Sequence, residues 1–273
     1  MLDILLPLAV YVGLVVAVLA ALRLLVGPTQ NKGYVLLRVL IVLLITMPLA
    51  AWMGLGWMNS RTFQLFGDMV DRVETDQPVI ALTFDDGPSS KGGQQILDIL
   101  RAEGVRATFF VEGMALEENM PIAQRMVAEG HALGNHSYSH SRLVGRSYAF
   151  VHHEIALTDA LIRAAGYEGE ILFRPPYGKR LIILPYYLQR AGRTTIMWNT
   201  EPGNYAGKER DPKQIAADVL AGARPGSIIL LHVMYGEENA DRRAVSGIIA
   251  GLRARGYTFV TVPELLELRE SEQ

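Results

Sequence analysis

The side chains best suited to chemistry in this 273-residue chain stand in short polar clusters that follow apolar runs. In "ALTFDDGPSS", residues 81–90, the adjacent carboxylates Asp85 and Asp86 close a β-like run just before a Gly87–Pro88 turn. Two negative charges at the end of a buried strand are costly unless the turn lies in solvent or a positive partner faces them. In "GNHSYSH", His136 and His140 lie four residues apart, so one helical turn or a tight loop puts both imidazoles on one side. With a carboxylate from another strand end they complete a two-histidine, one-carboxylate site for a divalent ion. One member of the Asp pair then ligates the ion. The other acts as general base toward an attacking water made more acidic by the metal. Arg174 in "FRPPYGK" has the charge to keep that base ionised and oriented. The two prolines beside it suggest a rigid loop that presents the Tyr177 backbone to a ligand. His232 ends the apolar run "SIILLH", where a general acid for a leaving group would be well placed. Glu201 and Asn204 follow a further strand candidate, whereas His131, His152 and His153 read as structural or surface residues. Each cluster alone has an ordinary explanation: a surface turn, a solvated helix face, a surface ion pair. Their joint occurrence does not.

Convergence requires a fold that gathers strand ends. Strand candidates are 78–84, 105–111, 131–135, 171–173, 193–198, 227–232 and 257–262. Helix candidates lie between them at 93–103, 117–129, 148–165, 180–191, 212–222 and 241–255, several closing on Gly. "PVIALTF" and "SIILLH" are continuous apolar runs, as expected of strands buried on both faces. This alternation predicts an α/β fold with a parallel sheet or barrel. In a parallel barrel the C-terminal strand ends share one rim, so residues about 150 apart in sequence can meet there.

The charge is near neutral, formally −2, so no nucleic-acid footprint is indicated, and the absence of cysteine excludes disulfides and cysteine–metal sites. Residues 1–60 carry only Asp3, Arg23, Lys32 and Arg38 as charges. Ile4–Val26 and Val39–Met58 are each long enough to cross a hydrocarbon core of about 30 Å, with "GPTQNKGY" between them as a polar turn. A transmembrane helical hairpin is expected over 1–60, then an amphipathic connector over 61–76, then a catalytic domain over 77–273. A cleaved signal peptide fits less well, since no basic residue precedes the first apolar run. Arg23, Lys32 and Arg38 cluster at the turn, which places the turn in the cytoplasm and the soluble part outside.

In order along the chain, "TFDDGP", "VRATFFVEG", "HSYSH", "RPPYG" and "IILLH" resemble the polysaccharide deacetylase family, also called the NodB-homology domain or carbohydrate esterase family 4. The resemblance covers roughly residues 77–265. It implies a distorted (β/α) barrel of seven strands, with Asp86, His136 and His140 as ligands of a divalent metal, usually zinc. It further implies Asp85 as base oriented by Arg174, His232 as acid, and the Tyr177 backbone N–H as oxyanion donor. The implied reaction is hydrolysis of an N-acyl group from an amino sugar. One motif departs: Asn204–Tyr205 stands where the family commonly has Asp–Trp, the Asp tuning the acid histidine. Glu201, three residues earlier, is the expected substitute.

The expectation is a membrane-anchored, metal-dependent carbohydrate N-deacetylase of a bacterial membrane, its catalytic domain outside the cytoplasm. Its partners would be an N-acetylated glycan and the lipid bilayer, with no nucleic acid. Peptidoglycan, chitin-like oligomers, exopolysaccharide and lipid-linked sugars all remain compatible substrates. The rival readings are a metal-retaining sugar-binding module without catalysis, and a membrane scaffold whose hairpin is the functional part.

Overall fold

The computed structural model describes residues 11–13, 15–23, 31–203 and 211–271. The chain divides into two compact units, Met1–Ser60 and Arg61–Gln273.

In the first unit, a short apolar helix runs Tyr11–Arg23. The remainder of the first expected span, and residues 27–30 of the expected turn, lie outside the described residues. Helix α1, Lys32–Asn59, is 28 residues long and is the one described helix with the length and apolarity to cross a membrane. It begins seven residues before the expected Val39, because the Asn31 side chain accepts a hydrogen bond from Gly33 N and caps it. At ~1.5 Å per residue it is about 42 Å long, enough for a ~30 Å hydrocarbon core.

The second unit is a parallel α/β fold. β2 (Val79–Asp85) is buried along all seven residues, as its unbroken apolar sequence predicts. Around it stand β3 (Thr108–Val111), β4 (Ala132–Asn135), β6 (Ser227–Leu231) and β7 (Thr258–Val260), all parallel. β3 and β6 both pair with Thr83 and Phe84, so they flank β2 on opposite edges. β6 and β7 both pair with Ile80 and Ala81, so β7 shares the β3 edge, lower down. A separate parallel pair joins β1 (Met69–Val70) to β5 (Thr195–Ile196). Among the described residues the ladders form two sheets. Single bridges, Asn135–Phe173, Phe173–Thr195 and Thr200–Ile229, carry the curvature between the two sheets.

The helices are α2 (Ser90–Glu103), α3 (Gly113–Ala128), α4 (Tyr148–Ala164), α5 (Ile183–Arg190), α6 (Pro212–Gly222), α7 (Ala240–Ala254) and α8 (Val262–Ser271). They bury apolar stripes such as Ile96, Leu97 and Leu100 of α2 against Ile80, Leu82 and Phe84. Two expectations need correction. The strand expected at 171–173 is reduced to one bridge at Phe173, because the following "RPP" leaves two prolines without N–H donors. Helix α8 follows β7 directly, where the sequence suggested only a strand to 262. Residues 61–76 belong to the second unit. Buried Arg180 donates to the Phe63 carbonyl at 3.1 Å and to Gln64 Oε1 at 3.2 Å, and β1 pairs with β5.

Candidate active site

Asp85 is the last residue of β2, and Asp86 is the first beyond it. Asp85 is buried, yet a positive partner faces it: fully buried Arg174 donates from Nη1 to Asp85 Oδ1 at 2.6 Å. The guanidinium is itself fixed by Thr83 Oγ1 at 2.8 Å, the Met197 carbonyl at 3.1 Å and the Ile196 carbonyl at 3.3 Å. The face of Phe110 lies 4.0 Å from its carbon centre. Burial pushes the Asp85 carboxyl up, but opposing influences, the charge of Arg174 foremost, hold the group below the usual carboxylate range.

His136 and His140 do not lie on a helix but on the tight loop after β4. The Arg174 carbonyl accepts from His136 Nδ1 at 2.8 Å, which leaves the Nε2 lone pair directed at the carboxylates, 3.8 Å from Asp86 Oδ1 and 3.7 Å from Asp85 Oδ2. Burial lowers the pKa of His136, so the neutral, ligating form is favoured. His140 Nε2 is 3.4 Å from Asp86 Oδ1. Ligand atoms of Asp86, His136 and His140 all lie within 4.8 Å of one another. Asp86 Oδ1 is buried and makes no hydrogen bond among the described residues. An unsatisfied buried carboxylate oxygen facing two imidazole nitrogens is a donor set suited to a divalent cation.

The backbone is bent to make this set. Asp86, Ser137, His140 and Tyr177 have φ of 71°, 66°, 52° and 58°. Left-handed conformations at non-glycine residues cost on the order of 1–3 kcal/mol each and gather at functional sites. Here the surroundings compensate. Buried Glu154 of α4 accepts from Tyr138 N at 3.1 Å, Ser139 N at 2.9 Å and Ser139 Oγ at 2.8 Å. Asn135 Oδ1 accepts from Ser137 N at 2.8 Å. Tyr177 sits in a 3₁₀ turn, Pro176–Gly178, whose neighbouring amides Gly178 N and Lys179 N are bonded to the Pro175 and Pro176 carbonyls. Its ring stacks 4.6 Å from that of His140.

His232 directly follows β6 and is exposed. Its backbone is held on both sides: its N–H donates to Asp241 Oδ2 at 3.0 Å, and Asn239 Nδ2 donates to its carbonyl at 2.9 Å. Glu201 turns elsewhere. Its Oε2 accepts from Trp198 Nε1 at 2.8 Å, and its Oε1 pairs with Arg61, whose guanidinium lies over the Trp198 ring at 4.9 Å. No contact among the described residues brings Glu201 to His232, and Asn204 lies outside those residues. Of the histidines set aside in the sequence, His131 Nδ1 accepts from Ala107 N at 3.1 Å, a structural role, and His152 packs on Tyr187.

Sequence reasoning missed Glu112 and Glu154. Glu112 follows β3, with Oε1 3.8 Å from His140 Nδ1 and Oε2 accepting from Tyr235 Oη at 3.2 Å. Burial, then the Asp86 charge, push its carboxyl up to about 7. Its position after the apolar run "TFFV" is the same strand-end signal that marks Asp85. Glu154 carries no such signal, being one polar residue within a helix.

The second unit is thus a parallel α/β fold that carries an arginine-held carboxylate and a candidate Asp–His–His metal site at its strand ends. The family model for polysaccharide deacetylases matches residues 72–196. A peptidoglycan-N-acetylglucosamine deacetylase of Bacillus cereus is 31% identical over 219 residues, 80% of this chain and 76% of that protein. The PgdA peptidoglycan-N-acetylglucosamine deacetylase of Listeria monocytogenes is 35% identical over 68% of this chain, though the match spans only 38% of its length. The solved Bc1960 peptidoglycan N-acetylglucosamine deacetylase superposes with a TM-score of 0.67 at 31% identity, over 72% of this chain and 92% of that one. This chain belongs to the polysaccharide deacetylase family.

Proposed function

We propose that the protein is a metal-dependent N-deacetylase of an N-acetylated amino-sugar glycan, with peptidoglycan the substrate its relatives favour. The observation that carries this reading is Asp85, locked to Arg174 at 2.6 Å, directly beside the Asp86–His136–His140 cluster. Asp86, His136 and His140 would hold a divalent ion, with zinc the expected metal. Such an ion supplies a Lewis acid for the acyl oxygen and makes the attacking water more acidic. Asp85 takes the proton from that water as it adds to the acetyl carbonyl carbon. Arg174 keeps Asp85 ionised for that step and fixes its second oxygen toward the cluster. The Tyr177 N–H, beside the His140 ring, donates to the oxygen on which charge develops. His232 donates a proton to the sugar nitrogen, the C–N bond breaks, and acetate and a free amine leave.

The α1 helix anchors this unit to a membrane, with the catalytic unit on the extracytoplasmic side. Its length and apolarity support the anchor, and the cell-wall substrates in its relatives' names support the side. The test is acetate release from an N-acetylglucosamine oligomer with chelated, metal-reloaded and Asp85→Asn protein. Release that survives chelation, or that survives Asp85→Asn undiminished, overturns the reading.

A further inference from the structure

An exposed aromatic surface lies outside the catalytic machinery. Phe66 and Tyr186 meet edge to face at 5.7 Å, and Tyr186 meets Tyr148 at 6.4 Å. Phe66 is 36% exposed, Tyr186 43%, Tyr148 45%, and Ile182, one turn before Tyr186, 51%. Three segments build this one surface: the stretch after α1, the start of α4 and the exposed face of α5. They are fastened together beneath it. Gly67, at φ +73°, lies so close to Gln189 that an added Cβ would come within 3.2 Å of that side chain. Cations border the aromatics: Arg190 is exposed one turn after Tyr186, and Arg146 covers the Phe150 ring at 5.0 Å.

Chain continuity says what can reach this surface. Helix α1 ends at Asn59, the second unit begins at Arg61, and Phe66 is only seven residues past the helix end. At most ~3.6 Å per residue, seven residues span about 25 Å. A surface so closely tied to a membrane helix, with Tyr and Phe inside and Arg at its edge, has the composition of a membrane-interface belt. Arginine beside it complements anionic headgroups.

We propose that the surface formed by Phe66, Tyr148, Ile182 and Tyr186 seats in the headgroup region of an anionic lipid bilayer, the one that anchors α1. The proposal rests on the anchoring reading of α1 given above. A soluble-domain view of the catalytic unit leaves four large apolar side chains facing water, one of them, Phe66, seven residues past the membrane helix.

The absence of native cysteine makes the test direct. Ile182→Cys, Tyr186→Cys and, as a control, the exposed Glu118→Cys on α3 are made singly in the full chain and spin-labelled. Each is reconstituted at one chain per nanodisc of phosphatidylcholine and phosphatidylglycerol. Collision with oxygen and with a polar nickel chelate is then compared, and bound metal is measured to show that each variant is folded. The expected result is an oxygen-to-nickel ratio several-fold higher at 182 and 186 than at 118. A water-like ratio at all three positions overturns the proposal. So does protection of 182 and 186 by an N-acetylglucosamine oligomer in lipid-free protein, which assigns the surface to substrate. Loss of the chain from the discs on an alkaline wash overturns the anchoring reading and the proposal with it. Retention with water-like labels overturns the proposal alone.

Discussion

Asp85 and Arg174 form a buried ion pair whose partners also carry the strand-end geometry, so the two substitutions should fail differently. Asp85→Asn keeps the shape but cannot accept a proton, and turnover is expected to fall by roughly 10²–10⁴, the usual worth of a positioned general base. Metal content measured by elemental analysis should remain unchanged. Arg174→Met leaves an uncompensated buried carboxylate, and breaking a buried pair in this way costs about 3–5 kcal/mol. Thermal unfolding of that variant should shift down sharply, and an unchanged melting temperature would contradict the packing around Phe110 and Met197. At the cluster itself, His136→Ala should sharply reduce metal occupancy. His136 commits its Nδ1 to the Arg174 carbonyl and has only Nε2 to offer.

Elements explain which parts of this site were legible in the sequence. Asp85, Asp86, His232 and Arg174 follow apolar runs, and a parallel fold turns "follows a buried strand" into "lies on the rim". That inference needs no knowledge of which strands pair. It fails where position depends on tertiary choices. Glu201 stands three residues from Asn204, near enough in sequence to suggest a tuning role, but Trp198 and Arg61 take both its oxygens. Strand β1 is two residues long and shows no periodicity at all. Glu154 holds the loop that carries His136 and His140 from the middle of α4, and nothing local distinguishes it from a solvated helix residue. Glu154→Ala removes the acceptor for two loop amides and a hydroxyl, with each buried orphan costing about 1–3 kcal/mol. A weakened metal affinity by calorimetry, with a lower melting temperature, is expected. Native affinity in this variant would show that the loop holds its left-handed residues without help.

His131 gives the framework a pH dependence of its own. It lies buried just before β4, where burial lowers its pKa from 6.5 to about 4. The unfolded chain takes up a proton below about 6.5 that the folded chain refuses until about 4. Stability is therefore fully present above 6.5 and lost as pH falls toward 4, by about 3 kcal/mol at most. In His131→Gln the fall in melting temperature between those limits should be smaller than in the native chain. An equal fall would mean that His131 is not the group responsible.

At the scale of the whole molecule, an apolar helix leads within two residues into a unit whose strand ends carry Asp85, Asp86, His136 and His140. A reporter fused after Gln273 should behave as extracytoplasmic, and activity of the fusion confined to the cytoplasm would reverse the orientation read from Arg23, Lys32 and Arg38. The central claim, however, is chemical. Its most direct test is mass spectrometry of an N-acetylglucosamine oligomer after incubation with the metal-loaded full chain, beside Asp85→Asn loaded to the same metal content. The account predicts successive loss of acetyl groups, matched mole for mole by free acetate, with native protein, and a rate lower by roughly 10²–10⁴ with the variant. An intact oligomer with fully metallated native protein, or equal loss with both proteins, would contradict it.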